Sequence, residues 1–204
     1  RPDLAIDAES KKMLVAKDYP LAASHRHFSH LMAIHPLGLI RWENGPRDQA
    51  IIKASMADLE KNGTSQWCGY SFSWLASLAA RARDGEKAAE ALEIFSTAFC
   101  LRNSFHCNGD QSGKGYSNAR YRPFTLEGNF AAAAGLQEML LQSYSGTIRL
   151  FPAVPADWKD ISFKTLRAEG AFLVSAERRD GLTHSVTISS EKGENGKATL
   201  ATMK

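Results

Sequence analysis

Just after Ser145-Gly146 the hydrophobic period of this 204-residue chain changes from helical to strand-like, and that switch restricts the folds open to it. Upstream, apolar residues recur every three or four positions. Residues 25–35 are expected as a short helix carrying Phe28, Leu31 and Ile34. Residues 46–61 open with Pro46, a good first helical residue, stop at Asn62-Gly63, and place Ile51, Ile52, Met56 and Leu59 on one face. Residues 70–83 carry Phe72, Leu75, Leu78, Ala79 and Ala82; after a turn at Asp84-Gly85, residues 86–101 carry Ala89, Leu92, Phe95 and Phe99. Residues 128–143 are the last expected helix, with Ala131 to Ala134 for close packing. Downstream, residues 147–151, 161–168, 171–177, 182–190 and 198–203 are short and β-rich, and Asp180-Gly181 reads as a hairpin turn. In 182–190, Leu182, His184, Val186 and Ile188 alternate with Thr and Ser, a half-buried strand pattern with His184 as its blemish. Helices followed by strands imply two units, 1–145 and 146–204, rather than an alternating α/β fold.

The most informative local run is RPFTLEGNFA, residues 122–131, which leads into the alanine-rich helix. It sets Glu127 at a helix mouth, where the macrodipole and free backbone N–H groups favour an ionised carboxylate. Gly128 lets a ligand approach the backbone closely. An acid there also serves as an ordinary first-turn residue, and position alone favours that reading. The preceding stretch, 103–125, is long and rich in Gly, Asn and Ser, a length that in a compact domain often marks function.

Composition closes several classes. Lys and Arg number 25 against 22 acids, a net +3, too weak and scattered for a nucleic-acid partner. No apolar run is long enough to span a bilayer. The start at Arg1-Pro-Asp-Leu has no signal-peptide pattern. The abrupt ends at Arg1 and Lys204 suggest a piece of a larger protein, so periplasmic or extracellular location stays open. Cys68, Cys100 and Cys107 are too few and irregular for a disulfide framework; Cys100 and Cys107 could pair, but buried thiols fit better.

His25, His27, His30 and His35 form the densest polar cluster, with Arg26 among them. Metal ligation lacks a supporting Glu or Cys pattern. Hydrogen bonding to a hydroxyl-rich ligand, or to buried backbone, is the simpler use. Residues 109–114 hint at a phosphate loop, but the spacing is one residue short and Gly115 stands where Ser or Thr is needed. Trp67, Tyr70 and Trp74 suit sugar stacking or core packing. Ser71 and Ser73 lack the elbow of a serine nucleophile.

Four segments in register resemble the C-terminal part of glycoside hydrolase family 95, inverting α-L-fucosidases and related α-L-galactosidases. They are HRHFSHL (25–31) with Pro36; SFSW (71–74) with Ala80-Arg81 and Asp84-Gly85; PFTLEGNF (123–130) with Ala134-Gly135 and EMLLQS (138–143); and LFPAVP (150–155) with Trp158, Leu166-Arg-Ala168, Gly170 and Phe172. Together they span about residues 20–182. The resemblance implies a fold that is mainly α then β: the C-terminal part of an (α/α)6 barrel, followed by a small antiparallel, sandwich-like β domain.

It further implies an inverting exo-glycosidase acting on α-L-fucosides or a closely related sugar, with an oligosaccharide or glycan substrate and no cofactor, since water is the nucleophile. Glu127 occupies the general-base position, where the family carries Asp; the general acid lies upstream of Arg1. The longer side chain moves the carboxylate by roughly an ångström, enough to cost about a hundredfold in rate unless the cavity or the sugar differs. His25, with His27 beside it, matches the sugar-binding histidine. Trp67 and Tyr70, the latter standing where the family has Trp, would shape the pocket, Asn129 would hold the carboxylate or the water, and the loop 104–121 would cover the entrance. The alternative is a non-catalytic carbohydrate-binding relative of the same fold, favoured by the Asp-to-Glu change. A purely structural segment and an α/α-toroid lyase are weaker competitors.

Overall fold

The computed structural model describes residues 3–192 and 199–202. Four α-helices come first: α1 (Pro46–Asn62), α2 (Gly69–Arg81), α3 (Gly85–Ala98) and α4 (Leu126–Leu140). Strands follow: β1 (Leu141–Tyr144), β2 (Thr147–Leu150), β3 (Ile161–Ala168), β4 (Phe172–Arg179), β5 (Leu182–Ser190) and β6 (Thr199–Thr202). The helix-then-strand order expected from the periodicity is the order observed. The outermost residues of the expected last strand, 198 and 203, lie outside the described residues.

The helices share one core, and α2 is its axis. Every α2 residue except Tyr70 is buried. Phe28, Leu31 and Ile34 pack into the same core, as do Ile51, Ile52 and Leu59 of α1 and Phe95 of α3. The short helix expected over 25–35 is only a 3-10 turn, Ser29–Ala33. No side chain caps it, and the His25 ring is taken up with the backbone of His27. Pro36 also disfavours helical backbone at His35.

α4 lies against α2 through its glycines rather than its alanines. A Cβ at Gly135 would sit 3.1 Å from that of Ala76. Gly128 and Gly135 are buried, whereas Ala133 and Ala134 are exposed. The outer flank of α4 is apolar and open, with Phe130 69% exposed.

The expected helix 128–143 stops at Leu140. Gln142, itself buried, donates to the carbonyls of Ala80 and Glu138 at 3.1 Å each, closing the ends of α2 and α4 together. The chain then turns extended at Leu141 and pairs β1 with β2, from Leu141↔Leu150 to Tyr144↔Thr147. The two-residue connection Ser145-Gly146 has φ of 55° and 72°, as a type I′ hairpin requires. Asp180-Gly181, with φ of 50° and 78°, makes the second hairpin, as expected.

Two three-stranded sheets result. β3-β4-β5 is an antiparallel meander, and β1-β2-β6 is mixed because β6 runs parallel to β2. They share a core of Leu141, Ile148, Leu150, Phe151, Phe163, Val174 and Ala176. In β5 only Val186 joins it; Leu182 is 65% exposed, so the alternation of that strand does not translate into a buried face.

A charged seam joins helices to strands. Arg81 donates to both Glu138 oxygens at 2.6 and 2.9 Å, and its guanidinium lies 3.8 Å from the centre of the Tyr144 ring. Arg149 covers the same ring at 4.6 Å. Glu43 takes Arg83, Arg149 and the Tyr144 hydroxyl. Burial works against its charge, yet the two arginines hold its carboxyl below the ordinary range. Burial likewise drives His35 down to about 4, against the pull of Glu138 3.8 Å away and with the help of Arg81.

Two outcomes follow from this seam. Glu138→Gln, which leaves Arg81 buried without its counter-charge, should lower stability by about 3–5 kcal/mol in denaturant unfolding, and the Arg81→Met/Glu138→Leu double variant should lose much less. His35 stays neutral when folded but protonates near pH 6.5 when unfolded. Its contribution is therefore complete above about 6.5 and shrinks as pH falls towards about 4, by an amount on the order of 3 kcal/mol. Unfolding curves at stepped pH should show this loss, and His35→Gln should flatten it.

Candidate active site

The sequence distributes its polar candidates over a hundred residues; the fold collects them at the N-terminal ends of α2 and α4. Glu127 is in the first turn of α4, after the N-cap Thr125, and is exposed. Tyr70 is in the first turn of α2. Burial raises the Tyr70 hydroxyl above its ordinary range, and the charge of Glu127 raises it further, so the phenol stays neutral. Ser73 binds the two helix starts together, donating to the Gly128 carbonyl at 3.0 Å and the Gly69 carbonyl at 3.4 Å. Ser71 completes a capping box with Cys68 and donates to the Arg26 carbonyl at 2.8 Å. These bonds give both serines structural work, and the last seats the histidine segment against the first turn of α2.

His25 and His27 are exposed, their ring centres 5.8 Å apart. The His25 Nδ1 is 2.8 Å from the His27 carbonyl oxygen, so one ring edge is engaged locally. Burial lowers His27, helped by the charges of Arg26 and His25, and the ring is neutral around pH 7. Among the described residues, no three His, Cys, Asp or Glu side chains gather as a metal set. No helix among them is long and apolar enough to cross a membrane. All three cysteines are free, Cys68 and Cys107 buried.

Two expected site residues have other work. Trp67 is 2% exposed and packs on Phe28 and Phe72 at 5.2 and 5.0 Å. Its ring belongs to the core and offers no open face to a sugar. Asn129 was expected to hold the carboxylate or the water. Its Oδ1 instead accepts from the His106 backbone N–H, and its Nδ2 donates to the Ser104 carbonyl, both at 2.9 Å. Its amide clamps the loop to α4.

That loop is tied down along its length. Gln111 N–H donates to the Ala98 carbonyl at 2.7 Å, Thr64 Oγ1 to that of Tyr116 at 2.7 Å, and Ser117 Oγ to that of Trp67 at 2.6 Å. Asp110 gathers the Ser112 N–H and hydroxyl and the Tyr116 N–H. Burial opposes its charge, but these bonds keep the carboxyl below its ordinary value. The loop is thus bonded both to itself and to the helices and turns around it.

Within it is a residue that the sequence reading passed over. His106 is fully buried, with Nδ1 2.7 Å from the Thr125 carbonyl oxygen and 3.0 Å from Thr125 Oγ1. A Cβ on Gly69 would come within 2.3 Å of its ring, and one on Gly128 within 2.4 Å. No periodicity marks it, since it lies in a stretch without regular structure. Its only sequence trace is a glycine at each helix start.

The fold thus sets a carboxylate at the start of α4 and a phenol at the start of α2, and the Ser71 bond to the Arg26 carbonyl holds the His25–His27 segment against α2. The glycosyl hydrolase family 95 catalytic domain matches residues 16–140, and the glycoside hydrolase family 95 C-terminal domain matches residues 142–203. The relative called alpha-L-fucosidase 2, from Arabidopsis thaliana, is 35% identical over 160 residues, which is 77% of this chain and 18% of that protein. The chain thus spans a small part of that relative, and within the matched lengths helices and strands fall to the two domains in turn. This chain belongs to glycoside hydrolase family 95.

Proposed function

We propose that this chain supplies the water-activating side of an inverting exo-glycosidase that acts on α-L-fucosides or a closely related sugar. The observation that carries the reading is the placement of Glu127: an exposed carboxylate at the start of α4, beside the Tyr70 phenol. The name of the Arabidopsis relative, 35% identical, supports the fucoside class. Glu127 acts as general base, removing a proton from water as it attacks the anomeric carbon. Tyr70 donates a hydrogen bond into the site, and His25 and His27 face the sugar hydroxyls.

An inverting pair keeps its carboxyls about 6.5–9.5 Å apart, with the water between them. Glutamate at the base position extends one methylene further than the aspartate of the family pattern, so the cavity or the sugar must differ to keep that spacing. In this reading the helices contribute to an (α/α)6 barrel, and the strands form the appended domain. The substrate is a glycan, and the mechanism requires no cofactor.

Hydrolysis of aryl α-L-fucoside and aryl α-L-galactoside by the full-length polypeptide carrying this chain tests the reading. Glu127→Gln should lower kcat by about 100-fold or more with sugar binding kept, because it removes the proton acceptor alone. Undiminished turnover in the variant would remove Glu127 from the chemistry. Sugar binding without turnover in the unaltered protein would favour a carbohydrate-binding relative.

A further inference from the structure

His106 is the one fully buried imidazole among the described residues, and the proposed chemistry does not use it. Its Nδ1 faces the Thr125 carbonyl at 2.7 Å. A carbonyl oxygen only accepts, so Nδ1 carries the proton and donates. Nε2 then holds the lone pair and has no hydrogen-bond partner among the described residues. Burial lowers the ring below its ordinary value; the Thr125 bond and the Glu127 charge pull the other way without reversing it. A neutral ring with its one N–H committed to a backbone carbonyl is neither a counter-ion nor a proton donor to substrate.

The contacts it makes bracket Glu127 on both sides in sequence. Before Glu127, the ring bonds the N-cap Thr125, whose hydroxyl donates on to Asn108 Oδ1 at 3.1 Å. After Glu127, Gly128 lies against the ring so closely that any side chain would overlap it. Next, Asn129 Oδ1 accepts the His106 backbone N–H. The opposite side of the ring lies on Gly69 at the start of α2, one residue before Tyr70. The ring is therefore packed between the helix start that carries the carboxylate and the one that carries the phenol, which Ser73 also ties together.

Resting on the reading of Glu127 as base, we propose that His106 is a positioning residue for Glu127. It seats the first turn of α4 by donating from its ring to the N-cap carbonyl and by filling the space left by Gly69 and Gly128. The role is geometric, so its loss should appear in the chemical step before it appears in sugar binding.

The test is steady-state kinetics of the full-length polypeptide carrying His106→Leu, His106→Asn, Gly128→Ala or Glu127→Gln, on the aryl glycoside it cleaves. Leucine fills the space without a donor, and asparagine places an N–H close to the Nδ1 position. His106→Leu should lower kcat roughly 10- to 100-fold, the cost of a carboxylate misplaced by a fraction of an ångström to an ångström, with KM within about twofold. His106→Asn should recover most of that loss. A role in stability alone would lower the unfolding temperature while leaving kcat of the folded variant unchanged, and that result overturns the proposal. So does equal damage from Asn and Leu. If His106→Leu does not fold, Gly128→Ala, whose Cβ displaces the ring, must show the same kcat loss, and unchanged kcat there overturns the proposal as well. Full activity in Glu127→Gln is a separate failure, that of the base assignment on which this inference stands.

Discussion

Two helix starts can meet around an imidazole only where neither brings a side chain. Gly69 and Gly128 meet that condition, and the placement of the polar groups at this end of the molecule depends on it. Without the close approach, Ser73 of α2 would not reach the Gly128 carbonyl, and Tyr70 would not come within electrostatic range of Glu127. Gly135 continues the approach two turns on, against Ala76. α4 is thus fixed against α2 along one face while the Phe130 flank stays open.

The other ends of the same helices are held by charge. Arg81 and Glu138 pair across α2 and α4 where both are largely shielded from water, and Gln142 closes both helix ends. Such a pair adds little net stability over an apolar contact but is costly to break, which makes it a device for register. Stacked arginines on Tyr144 carry that register into β1, so the strands are continuous with the frame that holds Glu127.

The sequence revealed what depends on local pattern. The apolar spacing of α1 and α2, the Ser145-Gly146 and Asp180-Gly181 turns and the change from helix to strand are each written within a few residues. Glu127 stands out because a helix start, a glycine and a run resembling the family's, with Glu where the family carries Asp, coincide there. The errors were tertiary. The 25–35 segment has helical spacing, but it lacks a cap and ends against Pro36. The 128–143 pattern continues as an apolar run, and only the caps that Gln142 makes show where the helix must stop. Trp67 and Asn129 have side chains suited to a sugar site, yet the core claims one and the loop backbone the other. His106 left no local trace, because its importance lies in two glycines 37 residues before it and 22 after it.

The central claim is that Glu127 activates water on the face of the sugar opposite the leaving group. Proton NMR of the first-formed product from whichever aryl α-glycoside the full-length polypeptide cleaves tests this most directly. The account predicts that the β-anomer forms first and mutarotates afterwards, because water displaces the leaving group in one inverting step. First formation of the α-anomer would mean two displacements through a covalent intermediate, and Glu127 could not then be acting as a general base of the kind described.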